Sequence, residues 1–136
     1  MKHLADPAAL PTPDPVSAPY FEGAARGELR FQRCAAGHAF LYPRLLCPHC
    51  HSRELRWELS VGIGEVVSFA AVHRPPWDDL SRPVPYVIVL VRLDEGPQLM
   101  STLEGIEPEE AQIGLRVRAI FEQVSDHVGL VRFVRD

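Results

Sequence analysis

Three cysteines lie within the seventeen residues from Cys34 to Cys50, and the chain has no others. Cys47-Pro48-His49-Cys50 is a C-x2-C pair. That spacing turns both thiolates to one side of a tight turn, where a tetrahedral metal can hold them. This is half of a zinc ribbon. The first half departs from the pattern, because Gly37 stands where a C-x2-C partner of Cys34 would be. His38 makes a C-x3-H pair with Cys34 and is the preferred fourth ligand, which gives zinc the set Cys34, His38, Cys47 and Cys50. His51 follows Cys50 too directly for both to ligate with ease, and His49, inside the turn, is expected to face away from the metal. The alternative is a ribbon that has lost its metal and holds by packing. A redox C-x-x-C is disfavoured, since nothing nearby reads as the strand-to-helix junction that lowers a thiol pKa.

The composition bounds what such a centre can serve. A chain of 136 residues with 46% hydrophobic content builds one compact domain, or a small module joined to a larger one. The net charge is −4, the signs are mixed, and Lys2 is the only lysine, which argues against general nucleic-acid binding. No apolar run approaches the ~20 residues of a membrane span. No hydrophobic leader opens the chain. Clustered cysteines without a disulfide framework point to a reducing, cytoplasmic setting.

Elements must then be found to carry the cysteines. Residues 1–17 read as a flexible, proline-rich tail. Ser17 is a candidate N-cap, and Tyr20, Phe21, Ala24 and Ala25 recur at helical spacing before Gly27. These residues predict a short helix over 18–28, and its Tyr20-Phe21 pair needs cover. Either the chain's own ribbon supplies it or another subunit does, and docking is the favoured reading. Leu29 to Arg33 alternates, with Leu29 and Phe31 on one face and Arg30 and Gln32 on the other. Ala39–Leu41 and a strand from Glu54 complete a ribbon over 29–58. Trp57 reads as core at the junction between this ribbon and the longer strands beyond it.

From residue 59 the strands lengthen. Glu65–His73, Tyr86–Leu93, Gln98–Leu103, Leu115–Phe121 and Leu130–Val134 make five, with Asp94-Glu95-Gly96-Pro97 a hairpin turn and Pro108–Gln112 an acidic helical turn. Gly62 and Gly64 suggest a bulge or sharp coil where a strand bends to close a barrel. The fold class is therefore mainly β: a short helix, a zinc-ribbon-like (rubredoxin-like) module, then a five-stranded OB-fold barrel over 59–136. The lack of helices between strands excludes a parallel α/β sheet.

This order resembles the DUF35 family, whose members combine a rubredoxin-like zinc ribbon with an OB-fold. The matching residues are Pro19-Tyr20-Phe21-Glu22-Gly23, Gly27-Glu28-Leu29, Gln32-Arg33-Cys34, Tyr42-Pro43-Arg44 and Cys47-Pro48-His49-Cys50. In the barrel, Gly64-Glu65-Val66-Val67-Ser68-Phe69, His73-Arg74 and Pro85-Tyr86 continue the match, which runs from about residue 17 to the end. The chain departs from the family at Gly37, usually Cys, and at His38 and His51, usually Gly. The resemblance implies a non-catalytic accessory subunit in a hetero-oligomer. Its partner would be a thiolase-like or lipid-transfer-protein-type aldolase, or a MaoC-type hydratase, and acyl-CoA would be the ligand of the complex, as in steroid or fatty acyl-CoA degradation.

A CoA ester needs cations at a groove and an apolar wall. His73, Arg74, Trp77 and Arg82 flank one proline-rich loop and, with Tyr20 and Phe21, are the candidate CoA or partner contacts. The alternative for that loop is a solvated connector. Arg92, Arg116 and Arg118 read as outward strand positions. No nucleophile elbow or glycine-rich phosphate loop is present. Glu104, Glu107, Glu109 and Glu110 read as a solvated acidic turn, and His73 with Asp78 or Asp79 is a weak acid/base pair. No catalytic residue is assigned. A nucleic-acid-binding OB/ribbon protein and a stand-alone CoA-ester enzyme remain the alternatives.

Overall fold

The structure is a computed structural model, and it describes residues 10–74 and 83–136. Helix α1 spans Ala18–Ala25. Strands β1 (Arg30–Cys34), β2 (Ala39–Phe40) and β3 (Leu55–Leu59) form an antiparallel sheet in the order β2-β1-β3. Strands β4 (Ile63–Val72), β5 (Tyr86–Leu93), β6 (Gln98–Glu104), β7 (Arg116–Gln123) and β8 (Gly129–Arg135) close a barrel in the order β4-β5-β6-β8-β7. A parallel pairing of β6 with β8, Leu103 opposite Phe133, makes the closure, and a 3-10 turn at Pro108–Glu110 links β6 to β7. The architecture is the expected ribbon followed by an OB barrel. Among the described residues no helix is long and apolar enough to cross a membrane.

The entry to α1 differs from expectation. Ser17 makes no capping bond with its side chain. Asp14 takes that role three residues earlier: its carboxylate accepts from the Ser17 N–H at 2.8 Å, and Ser17 Oγ accepts from the Asp14 N–H at 3.1 Å. This is the reciprocal arrangement of a capping box. Hydrogen bonding from Ser17 holds the Asp14 carboxyl below its ordinary range. The exit agrees with the sequence. Gly27 adopts φ 77°, its N–H bonds Ala24 O, and the Glu28 N–H bonds Gly23 O. These are the paired bonds of a Schellman stop, which needs a left-handed residue where glycine stands.

Tyr20 corrects the docking expectation. It is 9% exposed and joins the barrel core beside Ala24, Leu29, Val131 and Phe133. Helix α1 packs on β7 and β8 and also on β1, so the chain's own barrel, with the ribbon alongside, covers Tyr20. The reason is the helix period, which puts Tyr20 and Ala24 on one face, four residues apart. Phe21 is half-buried, edge-on to Tyr20 at 5.2 Å between ring centroids.

Gln32 is also corrected. Both Phe31 and Gln32 are buried, so β1 is enclosed on two faces instead of alternating in and out. The barrel core is Val66, Val87, Val89, Val91, Leu93, Leu99, Leu103, Val117, Val131 and Phe133, with Trp57 packed against it from the ribbon side. Such side chains contribute about 1.5–3 kcal/mol each on full burial. The bulge in β4 falls between Val66 and Ser68, just beyond Gly64. Gly64 serves a different need, because a Cβ there would strike the Arg92 carbonyl.

Gly129 makes the tightest contact with the helix. A Cβ on Gly129 would meet the backbone of Ala24 and Ala25, which cannot yield without moving α1. Gly129→Ala should therefore cost about 1–3 kcal/mol, the usual range for overpacking, read as a lowered urea midpoint. An unchanged midpoint would show that α1 can slide at no cost.

Candidate metal centre and its surroundings

The two turns of the ribbon bring four side chains together. Cys34 Sγ lies 3.3 Å from His38 Nδ1 and 3.8 Å from Cys50 Sγ, and Cys47 Sγ lies 3.7 Å from His38 Nδ1. The four ligand atoms all fall within 4.8 Å of one another. A tetrahedral zinc with bonds of about 2.3 Å to sulfur and 2.0–2.1 Å to nitrogen requires sulfur–sulfur separations of about 3.8 Å and sulfur–nitrogen separations of about 3.6 Å. The 3.3, 3.7 and 3.8 Å separations lie close to that spacing, and the whole set is compact enough to close on one ion. Three soft thiolates and one imidazole are also a donor set that zinc takes.

The replacement of Cys by Gly37 has a local reason. In the second turn the residue in left-handed backbone is His51, φ 62°, and its N–H bonds the Cys47 carbonyl. In the first turn it is Gly37, φ 95°, whose N–H bonds the Cys34 carbonyl. The first turn is thus one residue shorter. The ligand moves one place along the chain, and a longer side chain is needed there. In each turn an N–H also supports a ligand sulfur: His38 donates to Cys34 Sγ and His49 to Cys47 Sγ, both at 3.4 Å.

Electrostatics favour an anion here. Burial opposes charge on Cys34, but the N–H groups of His38 and Ala36 and the side chains of Cys50 and His38 outweigh it, bringing the thiol down to about 6. At Cys50 the Ser52 N–H favours the thiolate. Burial, hydrogen bonding with Cys47 and Cys34, and the Cys34 charge overcome it and hold that thiol above its ordinary value. The hydrogen bonds around Cys34 therefore favour a thiolate in this cluster. An arriving cation displaces the remaining protons.

Several supporting residues escaped sequence reasoning. The Gln32 carboxamide pairs with the Arg44 backbone in both directions, at 3.1 and 2.7 Å. It thereby fixes the segment between β2 and the second turn. From the same segment, Tyr42 Oη accepts from the Met100 N–H on β6 at 2.7 Å. Glu95, in the β5–β6 hairpin, accepts from Ser60 Oγ at 2.7 Å and the Val61 N–H at 2.8 Å, clamping the ribbon-to-barrel link. Gln32 precedes the first ligand by two residues, which was the available signal. Nothing local marked Glu95.

Of the other candidate contacts, His73 and Arg74 are exposed just past β4, and among the described residues neither makes a hydrogen bond or ion pair. Trp77 and Arg82 lie outside the described residues, as do Asp78 and Asp79. Arg92 and Arg116 point outward to Glu65 and Asp94 respectively, the latter through two bonds of 3.0 and 2.8 Å. Glu104 corrects the acidic-turn reading. It ends β6, half-buried, and accepts from Thr102 Oγ1 at 2.9 Å with Arg132 nearby.

Comparison with known proteins agrees with this geometry. Residues 21–56 match the family described as ChsH2, rubredoxin-like zinc ribbon domain, and residues 57–122 match ChsH2, C-terminal OB-fold domain. A "DUF35 domain-containing scaffold protein" of Pyrococcus furiosus is 32% identical over 103 residues, covering 74% of this chain and 75% of that one. The chain belongs to the DUF35 family. A chain of the solved "Ltp2-ChsH2(DUF35) aldolase" superposes with a TM-score of 0.80 at 33% identity, over 93% of this chain and 98% of that one. A "Probable enoyl-CoA hydratase alpha subunit" of Thermomonospora curvata is 38% identical over 99 residues, covering 72% of this chain. The match spans only 30% of that subunit's length.

Stripping metal with a chelator should speed amide exchange across residues 30–57 and leave the barrel protected. His38→Ala should weaken zinc binding by about tenfold or more, given that even outer partners of a metal site are worth about 10–100-fold. Equal zinc content in the variant and the parent would remove His38 from the ligand set.

Proposed function

We propose that this chain is a non-catalytic accessory subunit of an acyl-CoA enzyme complex, and that its ribbon holds a structural zinc through Cys34, His38, Cys47 and Cys50. The observation that carries the subunit reading is the likeness to the DUF35-containing aldolase over 98% of the matched chain. The partner favoured by that likeness is a lipid-transfer-protein-type aldolase of the thiolase fold. The hydratase alpha subunit supports a MaoC-type hydratase as the second reading. The role is to bind that enzyme and help form its acyl-CoA site, in the cytoplasm.

The surface suits a subunit. Ser68, Phe69, Ala70, Ile88, Leu90 and Met100 line a shallow, mostly apolar depression on the β4-β5-β6 sheet. Phe69 and Met100 are 39% and 60% exposed, and Tyr42 and Leu45 add exposed apolar surface from the ribbon. Beyond Val66 the outer edge of β4 has no ladder partner among the described residues, and Val67 to Val72 carry no charge to guard it. Edges left long, apolar and uncharged are a liability unless covered. His73 and Arg74 come directly after β4, so the candidate cationic rim continues this strip. With Tyr20 in the core, docking falls to the strip, the rim and the exposed side of Phe21.

Affinity capture of the tagged chain from its native host tests the reading. Near-equimolar recovery of a thiolase-like or hydratase-like protein is the expected result. Recovery of the chain alone, or of single-stranded nucleic acid in a salt-sensitive complex, would overturn it. The paired change Phe69→Glu and Met100→Glu should then weaken the recovered complex about tenfold or more, because buried unpaired charge is costly, while the melting temperature of the free chain holds. Truncation of residues 1–27 cannot serve here, since it removes Tyr20 and Ala24 from the barrel core.

A further inference from the structure

A metal-bound histidine ordinarily donates its second ring N–H to a carboxylate, a carbonyl or a water, and this partner fixes the ring. His38 has no such protein partner among the described residues. Its ring nitrogen Nδ1 faces Cys34 Sγ and Cys47 Sγ, and no carboxylate or carbonyl of the described residues bonds the imidazole. Its backbone is tied to Cys34, whose N–H bonds the His38 carbonyl and whose sulfur accepts the His38 N–H, but these bonds leave the ring itself free to turn. What confines the ring is another ring. His49 lies with its centroid 5.1 Å from that of His38, tilted by 38°. This is within the 4.5–7 Å over which aromatic pairs attract. His49 is itself anchored, since its N–H is spent on Cys47 Sγ between the two cysteines of the second turn.

We infer that His49 is a positioning residue for the metal centre, a lateral clamp that holds the His38 ring with Nδ1 toward the three thiolates, where no carboxylate or carbonyl of the described residues does so. The inference rests on the ligand set proposed above. It gives His49, expected to face away from the metal, a contact with the fourth ligand instead. The first turn fixes the His38 backbone, and the second turn supplies the contact that confines its ring. His51, next to Cys50 but in left-handed backbone and exposed, has no contact with His38 and serves as the control.

The test uses the full chain with zinc, and with Co(II) as an optical probe. Zinc affinity is read by chelator competition, and ligand geometry by the visible Co(II) bands. His49→Ala should weaken zinc about 3–10-fold, at or below the lower end of outer-partner effects, and shift the Co(II) bands. His49→Phe keeps a stacking ring without an imidazole. It should restore affinity to within about twofold and return the parent spectrum. His51→Asn, which keeps a residue that tolerates the left-handed backbone of the turn, should change neither. Parent-like affinity and spectrum in His49→Ala would overturn the inference, and so would a His49→Phe variant as weak as His49→Ala. His38→Ala separates the two levels. If it binds zinc as the parent does, the ligand set itself has failed. If it loses zinc while His49→Ala does not, only the clamp has failed.

Discussion

The tip of the ribbon depends on its thiol cluster because its own apolar cluster is small. The buried cluster at its tip is Cys34, Phe40 and Cys47, with Leu55 against it. Two of those three are ionisable thiols. Burying one phenylalanine contributes about 1.5–3 kcal/mol, whereas structural zinc binding in small ribbons and fingers reaches about 10–16 kcal/mol. The metal term dominates by that arithmetic. The turns containing Gly37 and His51, with their N–H groups aimed at sulfur, are local geometry serving that one centre.

Order at the tip is passed to the barrel through a short chain of contacts. The Gln32 carboxamide ties β1 to the backbone at Arg44, and Tyr42, two residues earlier, reaches Met100 on β6. On the other side, Glu95 grips Ser60 and Val61 where β3 leads into β4. Helix α1 adds a third tie: Arg30 of β1 reaches the Pro19 carbonyl at 3.0 Å, while Tyr20 on the same helix fills the barrel core. Ribbon and barrel are therefore joined at several points around the seam. A surface that crosses the seam, as Tyr42 and Met100 do, keeps its shape only while these ties hold.

The strand order and the cysteine turns were legible in the sequence because their signals are local. Alternation and turn residues place β4 to β8 within a residue or two, and the C-x2-C spacing places the second turn. Contacts that depend on distant packing were not legible. Tyr20 looked uncovered because nothing near it in sequence reveals that β7 and β8 pass beneath α1. Gln32 looked solvent-facing because strand alternation assumes one open face, and β1 has none. Glu95 read as an ordinary hairpin residue, since its partners at Ser60 and Val61 are more than thirty positions away. His49 was set aside on the habit of its turn type, and only the placement of His38 gives it a neighbour.

Catalysis and assembly make opposite demands on a small barrel, and the distribution of charge shows which demand shaped this one. An acid/base site needs a titratable group held out of water with its pKa moved toward neutrality. The exposed pair Asp94 and Arg116 on the barrel are each moved further into their charged range by hydrogen bonding to the other. Such a pair stabilises ions and moves no proton. Glu104, partly held out of water at the end of β6, accepts from Thr102 and lies near Arg132, and it also lines a small cavity with Tyr86, Leu103 and Ile106. Apolar side chains, by contrast, are left in water along β4 and β6, where polar residues would have cost nothing. Exposed Phe69 and Met100 beside an unguarded strand edge make sense as surface awaiting cover. That surface supports the proposed role as a subunit.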